Sequence, residues 1–325
     1  MTRLVRPLLG FALAAAVTAA PSRAAEPDRL LPPDADVVVS LNVRQLMESD
    51  VVKQYALENV KQVLQGGDAQ KFLRELGLDP LKDIDRVVVG VSGKDETDFK
   101  YLAVVRGRFD AQKLTKAAEA QTRKDADHFT LVKDGKDVMF KYTPDEGNPV
   151  YGAVVDDKTV VLAGDKKGIS TALAVPAGSK GDLGGELNGL VGKMDDKATL
   201  WVAALTNGRL DKVKLKGPAA NPGIQKQVTA LQSATVVIRA EKDVNLTIGL
   251  GMKDNEAAEE AGKTVGEIVQ TVRGALPFLA ANDPRLKPLI EPSKTLKSEV
   301  KDRTVTVTGK LSGAAIGQLI APGTE

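Results

Sequence analysis

The chain has 325 residues and no cysteine. That absence excludes thiol nucleophiles, disulfide frameworks, iron–sulfur clusters and zinc sites built on thiolate. A single histidine, His128, excludes metal sites that need two or three imidazoles and leaves one group for imidazole-based catalysis. Aromatic residues are scarce, with one Trp, four Tyr and seven Phe, which is thin for stacking on sugars or single-stranded bases. At 42% hydrophobic and 27% charged, the composition is that of a globular protein rather than a disordered chain or a multispanning membrane protein. The length suits one large domain or two ordinary ones.

The N-terminus carries the clearest pattern. Arg3 and Arg6 precede an uncharged, Leu- and Ala-rich run from Leu8 to Ala20, and small residues follow at Ser22, Ala24 and Ala25. This reads as a signal peptide over residues 1–24, with Ser22 at −3, Ala24 at −1 and cleavage before Ala25. The apolar run is shorter than the roughly 20 residues of a spanning helix, and the mature chain has no longer one. Taking Arg3, Arg6 and Arg23 out of 45 basic residues leaves 42 against 43 acidic ones, a formal charge of −1. A mature protein so close to neutral has no basic field to draw it to nucleic acid. The expected location is periplasmic or secreted.

Apolar periodicity lays out the remainder. Val37, Val39, Leu41 and Val43 alternate as in a half-buried strand, and a helical spacing follows over 44–64. Asp68 and Gly77 bound a second short helix. Strands at 86–91 and 100–106 lead to Asp110, an N-cap for a helix over 111–121. Hairpins at 128–142 and 151–163 and a helix over 167–174 close this half. The second half repeats the order: a strand at 198–205, a helix over 223–231, strands at 234–240 and 244–250, a long helix opened by Asp254, a hairpin at 296–311 and a helix over 314–320. Pro277 is expected to end or kink the long helix. The reading is an α+β fold of two tandem βαββα-type units, with mainly antiparallel sheets covered by helices. Residues 25–33 read as an N-terminal linker, 34–175 as the first unit with its extra hairpin, 176–197 as a second linker and 198–321 as the second unit.

Three segments carry a family likeness. They are Leu31 to Val43 (LPPDADVVVSLNV), Gly77 to Val87 (GLDPLKDIDRV) and Arg106 to Asp110 (RGRFD). Together they resemble a broad group of exported bacterial proteins of unknown function, many of them from planctomycetes. The likeness covers about residues 31 to 120. Its motifs are caps, turns and strand edges, so it implies export and fold class and brings no catalytic residues.

The chemistry-bearing residues are few. His128 lies beside Asp125 and Asp127, a grouping open to acid–base or metal use, and equally to the solvent face of a strand. Asp254, Glu256, Glu259 and Glu260 sit where a helix dipole favours acids, without the spacing of a calcium loop. Asp83 with Asp85, Asp156 with Asp157, and Asp195 with Asp196 are paired carboxylates in turns. Lys212, Lys214 and Lys216 alternate with apolar residues as edge-strand lysines do. Gly181 to Gly192 holds no phosphate-binding motif, no serine sits in a G-x-S-x-G elbow, and the sequon Asn245-Leu246-Thr247 lies inside a strand pattern.

No catalytic, cofactor-binding or metal-binding residue is assigned on this basis. The expectation is an exported, non-catalytic protein that binds a protein or envelope component through a surface. Two alternatives stand beside it: a carboxylate-dependent hydrolase, and a carrier of an apolar ligand held between the sheet and the long helix at 254–276.

Overall fold

A computed structural model describes residues 24–65, 77–93, 98–134, 137–206, 208, 210 and 222–320. The alternating segments form strands because each has one apolar side to bury. They are β1 (Val37–Asn42), β2 (Ile84–Ser92), β3 (Lys100–Gly107), β4 (Phe129–Asp134), β5 (Asp137–Tyr142), β6 (Val150–Asp156) and β7 (Thr159–Ala163). The second half adds β8 (Leu200–Leu205), β9 (Leu231–Ala240), β10 (Val244–Met252), β11 (Lys297–Lys301) and β12 (Thr304–Leu311). All twelve join one antiparallel sheet in the order β11-β12-β10-β9-β8-β1-β2-β3-β7-β6-β5-β4. The two halves meet at β1 and β8, where Val37 lies opposite Ala204 and Leu41 opposite Leu200. Outward from that seam the strand order mirrors itself, β1-β2-β3-β7-β6 on one side and β8-β9-β10-β12-β11 on the other. The hairpin β4–β5 extends only the first side.

The helices divide unequally between the two faces. On one face α4 (Ala111–Lys124) covers Val105, Phe129, Phe140 and Val160. On that same face α7 (Pro222–Ala230) and α8 (Asn255–Asn282) cover Met252 and Val305 through Ala230, Ala257, Ala258 and Ala261. The alanines let α8 lie close to the sheet. The opposite face of the first half is covered by α5 (Lys166–Leu173), by α6 (Gly185–Val191) and by the N-terminal residues. Ile169, Leu187, Val191, Leu30 and Leu31 bury there against Val38, Val104, Val161 and Trp201. After β12 the chain takes a different course. Helix α10 (Gly313–Ile320) packs Ile316 near Val51, Tyr55 and Ala240, so it does not repeat the position of α5.

Several elements differ from the sequence expectations. The strands form a single continuous sheet, because β1 and β8 saturate each other's edges. Residues 25–33, read as a linker, are a strap in the core: Ala25, Leu30 and Leu31 are buried, and Ala24 bridges Asp195. The stretch 176–197 likewise contains α6, whose Leu187 and Val191 are buried with Leu183 and Met194. The helix over 44–64 is three pieces: α1 (Val43–Glu48), a π-helical turn (Val52–Ala56) and α2 (Leu57–Gln65). Two further short helices are α3 (Pro80–Asp83), before β2, and α9 (Ile290–Thr295), before β11. Helix α8 runs through Pro277 to Asn282. Pro277 is on the exposed side, where solvent can serve the carbonyl that its missing N–H leaves open. The second short helix after Asp68, the Lys212–Lys216 run and residues 1–23 lie outside the described residues.

Candidate functional site

Among the described residues, the unequal cover leaves one half of one sheet face bare. Strand register places three rows there: Val237–Thr247–Thr308, Thr235–Gly249–Thr306 and Ser233–Gly251–Thr304. Among the described residues no helix packs on this face of β9, β10 and β12, and α6 reaches only its border, with Leu190 and the nearby Met194. Gly249 and Gly251 make the floor of a groove of about 410 Å³, with hydroxyl-bearing side chains on both banks. A Cβ on Gly249 or Gly251 would run into the Thr235 or Ser233 hydroxyl, so these hydroxyls lean over the bare backbone. Glycine in a strand costs packing and is retained where another group approaches the backbone closely.

Electrostatics close one end of the groove. Arg239 Nε donates to Asp195 Oδ2 at 2.7 Å, and the Asp195 side chain is almost fully buried. Its neighbour Asp196 accepts from Arg86 on the far side. Hydroxyls donate and accept alike, so these rows offer neutral polar contacts, and the exposed Lys193 also lines the groove. The two acids beside it, Asp195 and Asp196, are each paired with an arginine.

The other sequence candidates take structural roles. Asp83 accepts from the Asp79 N–H at 2.7 Å, and Asp85 pairs with Arg44. Asp156 accepts from the Lys158 N–H at 2.8 Å and Asp157 from the Ala111 N–H at 3.2 Å, so the two serve separate turns. Asp254 caps α8 through the Ala257 N–H at 2.7 Å, and Glu260 pairs with Lys226 at 3.0 Å. His128 is held between Asp125, 2.9 Å from Nδ1, and Asp145, 2.8 Å from Nε2. Asp127, the nearer acid in sequence, makes no such bond, and Asp145 comes from a loop 17 positions away. Hydrogen bonds donated by the ring to Asp125 first, and next to Asp145, hold the imidazole pKa above its ordinary value. Among the described residues no group of three or more His, Cys, Asp or Glu side chains is placed to hold a metal.

The groove escaped sequence reading for a simple reason. Asn245, Thr247 and Gly249 alternate with Val244, Leu246 and Ile248, and Thr304, Thr306 and Thr308 alternate with Val305 and Val307 in the same way. The alternation itself does not say that the two sets stand in one row.

The fold and site together define an α+β protein built on one large antiparallel sheet, which the described helices leave bare on one face of one half. No family model matches the chain, and no curated protein matches it. Among solved structures, the chain is similar to one described as crystal form IV of TP0453, with a TM-score of 0.51 and 10% identity over 92% of this chain and 97% of that one. At that identity the likeness is one of fold. No described helix is long and apolar enough to cross a membrane.

Proposed function

We propose that this protein is an exported, non-catalytic binding protein that seats an envelope component or partner protein in the groove between β9, β10 and β12. The observation that supports this is the pair of rows Thr235–Gly249–Thr306 and Ser233–Gly251–Thr304, a hydroxyl-lined channel floored by bare backbone. The groups face outward on strands whose other side carries α8, so the ligand surface is held on a rigid element. Export rests on the signal-peptide pattern before Ala25, and the mirrored strand order supports reading the chain as two tandem units. The test is cosedimentation of the purified protein with envelope fractions. Gly249→Val, which blocks the channel floor, should abolish binding while leaving the circular dichroism spectrum unchanged. Undiminished binding by that variant would remove the groove from the function. N-terminal sequencing of the exported form should begin at Ala25.

A second reading, carriage of an apolar molecule, is supported at a different place from the one the sequence suggests. Helix α8 meets its sheet through packed alanines. Beside α4, however, β5 and β6 pair only from Phe140 to Tyr142 and a cavity of about 430 Å³ opens next to the part of β5 before Phe140. Leu78, Leu114, Phe140, Val154 and Val160 line it. Native mass spectrometry showing a co-purified apolar molecule, displaced by Ala118→Leu, would favour this reading over the groove.

A further inference from the structure

The sheet ends on two outer strands, β11 and β4, and their edges differ. On β11, Lys297, Glu299 and Lys301 place charge along a strand that is exposed throughout, a guarded edge. On the opposite side β4 begins Phe129-Thr130-Leu131-Val132, a run without charge, proline or bulge. Phe129 and Leu131 pack towards α4 on one face, and Val132 packs against the core on the other. The strand is thus anchored on both faces, and its edge is what remains.

The ladder hydrogen bonds fix which residues face that edge. Thr143 N–H donates to the His128 carbonyl at 2.7 Å, so in the β4–β5 register the bonded pairs are Thr130–Lys141 and Val132–Met139. The residues between them, Phe129, Leu131 and Lys133, turn their N–H and C=O groups away from β5. Phe129 N–H already donates to the Asp125 carbonyl at 2.9 Å. Leu131 and Lys133 are complete rungs facing a side on which no described strand lies.

We propose that β4 pairs, antiparallel, with β4 of a second copy of this chain about a twofold axis at Val132. In that register Leu131 of each copy meets Lys133 of the other, and every N–H and C=O of these rungs finds its complement. Each lysine lies opposite a leucine, so no like charges meet directly. Axes at Phe129, Thr130 or Leu131 would need the N–H that the Asp125 carbonyl holds, and one at Lys133 would set the two lysines face to face. The strand is therefore self-complementary in one register. The charged β11 edge gives no comparable partner, so the pairing closes as a dimer rather than running on as a fibre.

The experiment is hydrogen exchange of the purified protein, read amide by amide from micromolar to millimolar concentration, with sedimentation equilibrium alongside. The Thr130 and Val132 amides, bonded to β5, should be protected throughout. The Leu131 and Lys133 amides should slow by about tenfold or more as the dimer forms. Lys133→Pro removes a donor that β5 does not use, so it should keep the chain monomeric while Thr130 and Val132 stay protected. Val132→Lys and Val132→Glu should each be monomeric with Thr130 still protected, and their mixture should form a heterodimer, because position 132 faces itself across the axis. The proposal is overturned if the wild-type chain stays monomeric at every concentration, in which case the edge is open to another polypeptide. It is equally overturned if a dimer survives Lys133→Pro, or if the folded Val132 variants do not pair. The groove lies in the other half of the sheet, so none of these results depends on what it binds.

Discussion

Asp28 grips Arg106 across 78 positions of sequence, with both carboxylate oxygens within 3.0 Å of Nη2 and Oδ2 also 3.0 Å from Nε. The same guanidinium reaches Thr159 Oγ1 at 2.6 Å, so one side chain ties the strap, β3 and β7 together. The Asp28 side chain is 12% exposed. Removing one partner of a pair this sheltered leaves the other charge poorly solvated. Asp28→Asn should lower the unfolding free energy by about 1–3 kcal/mol, read from the midpoint of urea denaturation. An unchanged midpoint would mean that the strap adds nothing to the fold.

The His128 clasp should make stability depend on pH. Its folded pKa is raised, mainly by the hydrogen bond to Asp125 and next by that to Asp145. The contribution is therefore complete below the ordinary histidine pKa and is lost as pH rises through the folded value. Asp125 has its pKa lowered by His128, so its share is present above the ordinary carboxylate range and is lost as pH falls through the folded value. Wild type should exceed His128→Gln in stability most at mildly acidic pH. The gap should close at alkaline pH and shrink with salt, because the site is exposed. A gap that persists at alkaline pH would assign the effect to packing.

A buried aliphatic and an exposed aromatic should respond very differently to truncation. Ile169 has no exposed surface and fills the space between α5 and the sheet. Ile169→Ala should cost about 2–5 kcal/mol. Phe278 on α8 is 76% exposed, and Phe278→Ser should stay within about 0.5 kcal/mol of wild type. Thermal denaturation of the two variants side by side distinguishes them.

Gly274 offers a gain. It lies inside α8 on the exposed side, and a Cβ built there meets nothing within 4 Å. Gly274→Ala should stabilise the protein by about 0.5–1 kcal/mol, by reducing the backbone freedom lost on folding. A fall in melting temperature would show that this glycine serves a contact.

Sequence alone determined the local structure because local rules are short-ranged. Alternation at Val37, Val39 and Leu41 made β1 legible, Asp110 and Asp254 marked the starts of α4 and α8, and the hairpin read at 296–311 is the β11–β12 pair. The scarcity of histidine and the lack of cysteine also narrowed the chemistry without any coordinates. What it left open was every relation between distant segments. Alternation shows that Gly249, Thr235 and Thr306 each face one side of a strand, and it carries no register between strands. Nor does it show that Asp28 reaches Arg106, or that residues 25–33 are core rather than linker. Only tertiary structure decided these, because pairing, burial and counter-ion choice depend on which surfaces meet once the whole sheet has closed around β1 and β8.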